Sequence, residues 1–213
     1  MSVSMIITRP DHDDVTHYLH SWSEQIISEA ESKNVKVVDL EKNRAIRREV
    51  ENVLEKIPAQ IVIFNGHGSD SSIADHNFEV LIKSGENESL LKSKIVYAIS
   101  CSSGKILGPK SIDAGAISFT GYDDVFFLAR EPIKISRPLE DGLAELFLKH
   151  SNVFVISLIK GNSVSDSFEK SKFIMKENFT KLLAGGEPKS SVARYLWWNY
   201  KHFVSHGNLN ATI

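Results

Sequence analysis

The sequence predicts an α/β fold, a three-layer sandwich with a mostly parallel central sheet. Three observations carry this. Short runs of β-branched and aliphatic residues alternate along the chain with longer segments of helical spacing. Two of those runs, Ile61-Val62-Ile63-Phe64-Asn65 and Ile95-Val96-Tyr97-Ala98-Ile99, show almost no polar alternation, which fits strands buried on both faces. The interval between them is long enough for one crossover between neighbouring parallel strands.

Taken in order, Met5-Ile6-Ile7-Thr8 reads as a strand stopped by Arg9-Pro10. The cluster Asp11-His12-Asp13-Asp14 supplies caps and early negative charge for a helix over about 15–32, with Tyr18, Leu19, Trp22, Ile26 and Ile27 on one face. Asn34 ends it, and residues 35–40 form a second strand. A helix over about 43–56 carries Ile46, Val50, Val53 and Leu54 at helical spacing before Pro58 terminates it. The third strand is 61–65. Residues 69–94 are turn-rich, with a short hairpin around 78–82 and a helical turn near 89–91. The fourth strand, 95–100, leads to Cys101. A helix over 105–114 follows, interrupted at Gly108-Pro109 and closed by Gly115, then a fifth strand over 116–122. The remainder reads as helices over about 138–150, 163–183 and 190–198, with a short strand over 203–205 closing the sheet. Phe168, Phe173 and Met175 are expected in the core. Trp197 and Trp198 are expected to pack the C-terminal end; adjacent on a helix, they cannot both face the core, which puts one of them at an interface. No repeat, low-complexity tract or linker interrupts the 213 residues, so a single domain over 1–213 is expected.

Composition narrows the function. A formal charge of −2 and a pI near 6.4 give no electrostatic reason to expect nucleic acid or an anionic membrane as partner. No segment approaches the roughly 18 consecutive apolar residues of a membrane span. The first residues lack the basic and long apolar regions of a secretory signal, so a cytoplasmic location is expected. There the single cysteine stays reduced, either as a small buried hydrophobe or as the nucleophile of a thiol enzyme.

The context of that cysteine favours chemistry. Ile61 to Asn65 ends in Gly66-His67-Gly68-Ser69, and Ile95 to Ile99 ends in Ser100-Cys101-Ser102-Ser103-Gly104. Side chains just past the carboxyl ends of adjacent parallel strands share one crevice, where α/β proteins do chemistry. His67 and Cys101, 34 positions apart, are a base and a nucleophile delivered to that crevice. Gly68 lets its amide approach a substrate oxygen, the amide of Cys101 is a second oxyanion donor, and a helix starting after Cys101 would favour the thiolate. Asn65-Gly66-His67-Gly68 lacks the lysine and the spacing of a phosphate loop.

These residues resemble the caspase-like (clan CD) cysteine peptidases, which pair an apolar strand ending in His-Gly with one ending in a small residue and Cys. The prokaryotic gingipain- and CHAT-like branch is the most similar. Asn65-Gly66-His67-Gly68-Ser69, Ser100-Cys101-Ser102-Ser103-Gly104 and Gly115-Ala116 through Gly121-Tyr122-Asp123-Asp124 carry the likeness. It implies a thiol endopeptidase with a His67–Cys101 dyad, an oxyanion hole using Gly68, no cofactor, and specificity set mainly by the P1 side chain. The matching P1 positions are Arg9, Asp11, Ile99, Asp123 and Asp124. Ile99 stands where some Arg- or Lys-cleaving relatives carry an acid, so a basic P1 rests on Asp123, Asp124 and Asp11, while Arg9 would suit an acidic one.

The implied partner is a protein or peptide substrate, with room for a regulatory protein. The rival readings are a caspase-like domain that binds or signals without cutting, and a hydrolase or acyl transferase acting on another substrate. Asp11, His12, Asp13, Asp14, His17 and His20 are ligand-type residues, but they read as the solvated start of a helix, with no metal expected. No acidic calcium loop is apparent.

Overall fold

The period-two alternation of the buried strands sets the architecture, because each strand must supply apolar side chains to both of its faces. A computed structural model describes residues 4–74, 78–186 and 189–213. Its strands are β1 (Ser4–Arg9), β2 (Lys36–Glu41), β3 (Ile61–Asn65), β4 (Gly68–Ser69), β5 (Ser72–Ala74), β6 (Val80–Lys83), β7 (Ile95–Ile99), β8 (Ser118–Tyr122) and β9 (Phe203–Gly207). The helices are α1 (Asp14–Ser32), α2 (Arg47–Lys56), α3 (Leu107–Asp113), α4 (Gly142–Ile159), α5 (Val164–Ala184) and α6 (Lys189–His202). A six-stranded sheet runs in the order β2-β1-β3-β7-β8-β9. All its neighbours pair in parallel except β9, which closes the edge antiparallel to β8.

Odd and even strand positions feed two separate cores. Met5, Ile7, Ile61, Ile63, Ile95 and Tyr97 pack with residues of α1, α4, α5 and α6 on one face. Ile6, Val62, Phe64, Val96 and Ala98 pack with Val50 and Leu54 of α2 and Leu107 of α3 on the other. Helix ends are fixed by the side chains expected of caps. Asp13 caps α1 in a reciprocal box with Thr16, Asp141 accepts from the amides of Leu143 and Ala144, and Ser163 accepts from that of Asp166.

The crossover between β3 and β7 departs from the usual helix. It is a small antiparallel sheet, β4-β5-β6, in the turn-rich segment, of which residues 75–77 lie outside the described ones. Further features differ from the sequence pattern or stand out against it. The chain does not enter a helix directly after Cys101. It turns through Ser102, whose φ of 57° is left-handed, and α3 begins only at Leu107, with Pro109 in its first turn where a missing amide costs nothing. The helix expected over 138–150 instead spans Gly142–Ile159: the β-branched stretch after Asn152 disfavours helix locally, but burial of Phe154, Val155 and Leu158 outweighs that. α4 reaches a mean hydropathy of 1.3 over 18 residues yet lies largely inside the protein, packed on α1 and α5. Finally, Met175 is buried and Phe168 stacks on Phe203, but Phe173 is 62% exposed; Trp197 and Trp198 are both partly exposed, and Leu196 and Asn199 take the inward positions.

Candidate active site

The parallel register puts the two signature turns side by side. Asn65 pairs with Ile99, and the amide of Gly66 donates to the Ile99 carbonyl at 3.1 Å, extending the ladder one residue past the strand. His67 and Cys101 therefore follow at equal distances along neighbouring strands. The approach is closest at Gly68. A Cβ there would lie 2.7 Å from the Cys101 carbonyl oxygen and 2.9 Å from the Ser100 Cβ, so only glycine fits.

The Cys101 turn is tied to the end of β8. The amides of Ser102 and Gly104 donate to the carbonyls of Asp124 (2.9 Å) and Tyr122 (2.7 Å), and the Ser100 hydroxyl donates to that of Ser103 (2.7 Å). The half-buried Cys101 sulfur accepts from the amide of Phe126 at 3.4 Å. Burial pushes its pKa up, the Phe126 amide opposes this, and the nearby Asp124 charge adds to the rise. The thiolate-stabilising helix end expected from the sequence is absent, since α3 begins only at Leu107. The Phe126 segment is itself clamped by α6: the buried Asn199 side chain accepts from the Phe127 amide (2.9 Å) and donates to its carbonyl (2.7 Å).

His67 has a partner that sequence reasoning assigned only to a helix cap. Its Nε2 lies 2.5 Å from Oδ2 of Asp13. Burial alone would raise the Asp13 pKa. The Thr16 amide, the His67 ring and the Thr16 hydroxyl outweigh it and hold the carboxyl down to about 2, so it is ionised at neutral pH. Asp13 reaches the site because β1, which leads into α1, is the sheet neighbour of β3. The exposed Phe78 ring stacks on His67 at 5.4 Å and meets His12 edge-on at 4.3 Å. The His12 side chain is only 10% exposed, so this stretch is not the solvated helix start the sequence implied.

The candidate P1 residues separate. Arg9 is buried and forks onto Asp39 at 3.0 and 2.5 Å, with its other nitrogen on the His20 carbonyl, so it is consumed in holding β1, β2 and α1 together. Ile99 is core. Asp11 accepts from His17 at 2.9 Å, and Asp123 accepts from His202 at 2.7 Å. Asp124 binds the next amide, that of Val125, and its charge reaches Cys101, so it is the acid of the three that bears on the sulfur. Directly after Phe126 runs a cavity of about 630 Å³ lined by Phe127, Leu128, Ala129, Ile135, Val192 and Tyr195, among others, with the Asp14–Arg130 ion pair (2.8 Å) on its wall.

Solved structures share this arrangement of strands and helices. The Arg-specific cysteine proteinase gingipain R superposes on 99% of the chain with a TM-score of 0.66 and 8% identity, using 47% of its own length. The complex of the Porphyromonas gingivalis RgpB pro- and mature domains superposes on 99% with a TM-score of 0.60 and 9% identity, using 48%. The chain thus spans about half the length of each, and it has the caspase-like fold. No protein-family model matches the chain, and no curated protein matches it by sequence.

Proposed function

We propose that the chain is a cysteine endopeptidase acting through His67 and Cys101. One observation carries this reading: the β3–β7 register, with Gly68 pressed against Ser100-Cys101, brings an imidazole-bearing and a thiol-bearing turn together at the carboxyl end of the central strands. The caspase-like fold supports it.

The chemistry follows from the partners. Asp13 accepts from Nε2–H of His67, which fixes the tautomer and leaves the lone pair on Nδ1. A substrate amide enters, Nδ1 takes the proton of the Cys101 thiol, and the sulfur attacks the carbonyl carbon. The ionised Asp13 stabilises the imidazolium so formed. The substrate oxygen, now negative, accepts from the amides of Gly68 and Cys101. The ladder supports the first donor. Ala74 donates to the His67 carbonyl at 2.9 Å, so the next pair, Gly68–Ile73, is the non-bonded kind and turns the Gly68 amide away from β5. Nδ1–H then protonates the departing amine, and a water deprotonated by the same nitrogen cleaves the thioester. A weak preference for Arg or Lys at P1 rests on Asp124.

The raised thiol pKa favours one other reading, a caspase-like domain that binds without cutting. Hydrolysis of fluorogenic peptides with Arg, Lys, Asp or Leu at P1, by the parent and the Cys101→Ala protein, decides. Turnover that disappears in Cys101→Ala supports the peptidase; equal rates in the two proteins would remove Cys101 from the mechanism.

A further inference from the structure

The proposed hydrolysis does not use His12, yet that side chain is tucked against Asp13 and the His67 ring. Among the described residues, His12, Asp13 and His67 form the one cluster of three whose ligand atoms all lie within 4.8 Å of one another. Nε2 of His12 is 3.7 Å from Oδ2 of Asp13, the same oxygen that faces Nε2 of His67 at 2.5 Å. We propose that these three side chains form an inhibitory zinc site, so that the ion switches the peptidase off and its withdrawal switches it on. This deepens the reading of His67 as the base and rests on it.

The ligand set and its spacing suit zinc. Two imidazoles and one carboxylate, with a fourth position for water, are a ligand combination zinc accepts readily. Bonds of about 2.0–2.2 Å in a tetrahedron put neighbouring ligand atoms roughly 3.4 Å apart. The His12–Asp13 spacing of 3.7 Å is near that value, the His67–Asp13 pair opens by under about 1 Å, and the two imidazole nitrogens, within 4.8 Å of each other, draw together. The groups are also held in place. Asp13 is fixed as the cap of α1 by the Thr16 amide at 2.8 Å, and Phe78 lies against both rings. The histidines come from different segments, the β1–α1 connection and the turn after β3, so the ion would bridge the two sides of the site.

Inhibition follows from the valence of the imidazole ring. With zinc on Nε2, the single proton of the neutral ring sits on Nδ1. That nitrogen then has no lone pair for the thiol proton, and Asp13 no longer sets the tautomer. Nothing is oxidised or cleaved; the ion displaces a hydrogen bond, and a chelator restores it.

The test begins with the Cys101→Ala protein, in which neither the thiol nor turnover contributes. Zinc chloride should bind it one-to-one by calorimetry and shift the ring signals of His12 and His67, not those of His17 or His20. In the parent, zinc should inhibit reversibly. His12→Ala should keep the chelator-treated rate and need at least about tenfold more zinc for half-inhibition, the loss expected when a ligand or its support is removed. The proposal is overturned if Cys101→Ala takes up no zinc, if His12 and His67 do not respond, or if His12→Ala is inhibited at the parental concentration. The ring-signal measurement needs no change at His12, so it stands even where that variant folds poorly. A protein with no peptidase activity that still binds zinc on His12 and His67 would refute the peptidase reading and leave the site.

Discussion

Asp13 serves two masters, and one substitution separates them. It caps α1 through the Thr16 amide at 2.8 Å, and it receives Nε2 of His67. Asparagine caps a helix as well as aspartate, so Asp13→Asn should cost no more than about 0.5–1 kcal/mol of stability, mostly the lost charge at the helix N-terminus. At His67 the same change removes the charge that stabilises the imidazolium and lets the amide present a donor to Nε2, favouring the tautomer with Nδ1–H. That tautomer cannot accept the thiol proton. The expected loss in kcat is roughly 10²–10⁴-fold, or about 3–5 kcal/mol of transition-state stabilisation. Asp13→Ala should add loss of the cap, about 1 kcal/mol, to a comparable loss in rate. Peptide turnover, read beside urea unfolding of the same samples, distinguishes the two effects. An Asp13→Asn protein within threefold of parental kcat would refute the assignment of Asp13 to the base.

Three more outcomes are expected. Gly68→Ala places a methyl 2.7 Å from the Cys101 carbonyl, which must spread the two strand ends; turnover should fall at least about 100-fold, checked by steady-state kinetics beside a circular-dichroism spectrum showing the fold retained. Asn199→Ala frees the Phe126–Phe127 segment whose amide faces the sulfur, so the pKa of Cys101 should rise further, read as a shift to higher pH in the rate of alkylation by iodoacetamide. Buried His150 shares a 2.7 Å hydrogen bond between its Nε2 and the Tyr122 hydroxyl, and burial holds its pKa down to about 3 against roughly 6.5 unfolded. Its folded pKa is depressed, so on acidification the unfolded chain is protonated first. Stability present above about pH 6.5 is then lost progressively towards pH 3, by an amount on the order of 3–5 kcal/mol, and His150→Gln should flatten that slope in urea midpoints measured from pH 7 to 4.

The strands were legible because period and length said the same thing at each. Ile61–Asn65 and Ile95–Ile99 are apolar on both faces, and only a doubly covered parallel sheet accepts such runs. Their shared crossover fixed them as neighbours, which is why the turns that carry His67 and Cys101 could be set side by side from sequence. Asp13 could not be added, because its position depends on β1 lying beside β3, a strand order that local pattern does not encode. The same limit hid the Phe126 amide, a backbone donor with no side-chain signature. Cys101 itself was misread in one respect: the N-terminus of the following helix was expected to favour its thiolate, whereas Ser102 turns left-handed, the chain is tied back to β8 and α3 begins only at Leu107. Arg9 was matched to a P1 position by the resemblance, from its place after the first strand, because its partners, Asp39 on the adjacent strand and the His20 carbonyl, cannot be read from sequence.

A peptidyl acyloxymethyl ketone with Arg or Lys at P1, incubated with the parent and with His67→Ala and followed by intact-mass and peptide mapping, tests the core of the account most directly. One equivalent should attach to the sulfur of Cys101 in the parent, with the rate falling by orders of magnitude in His67→Ala. Labelling that misses Cys101, or proceeds equally fast without the imidazole, would contradict it.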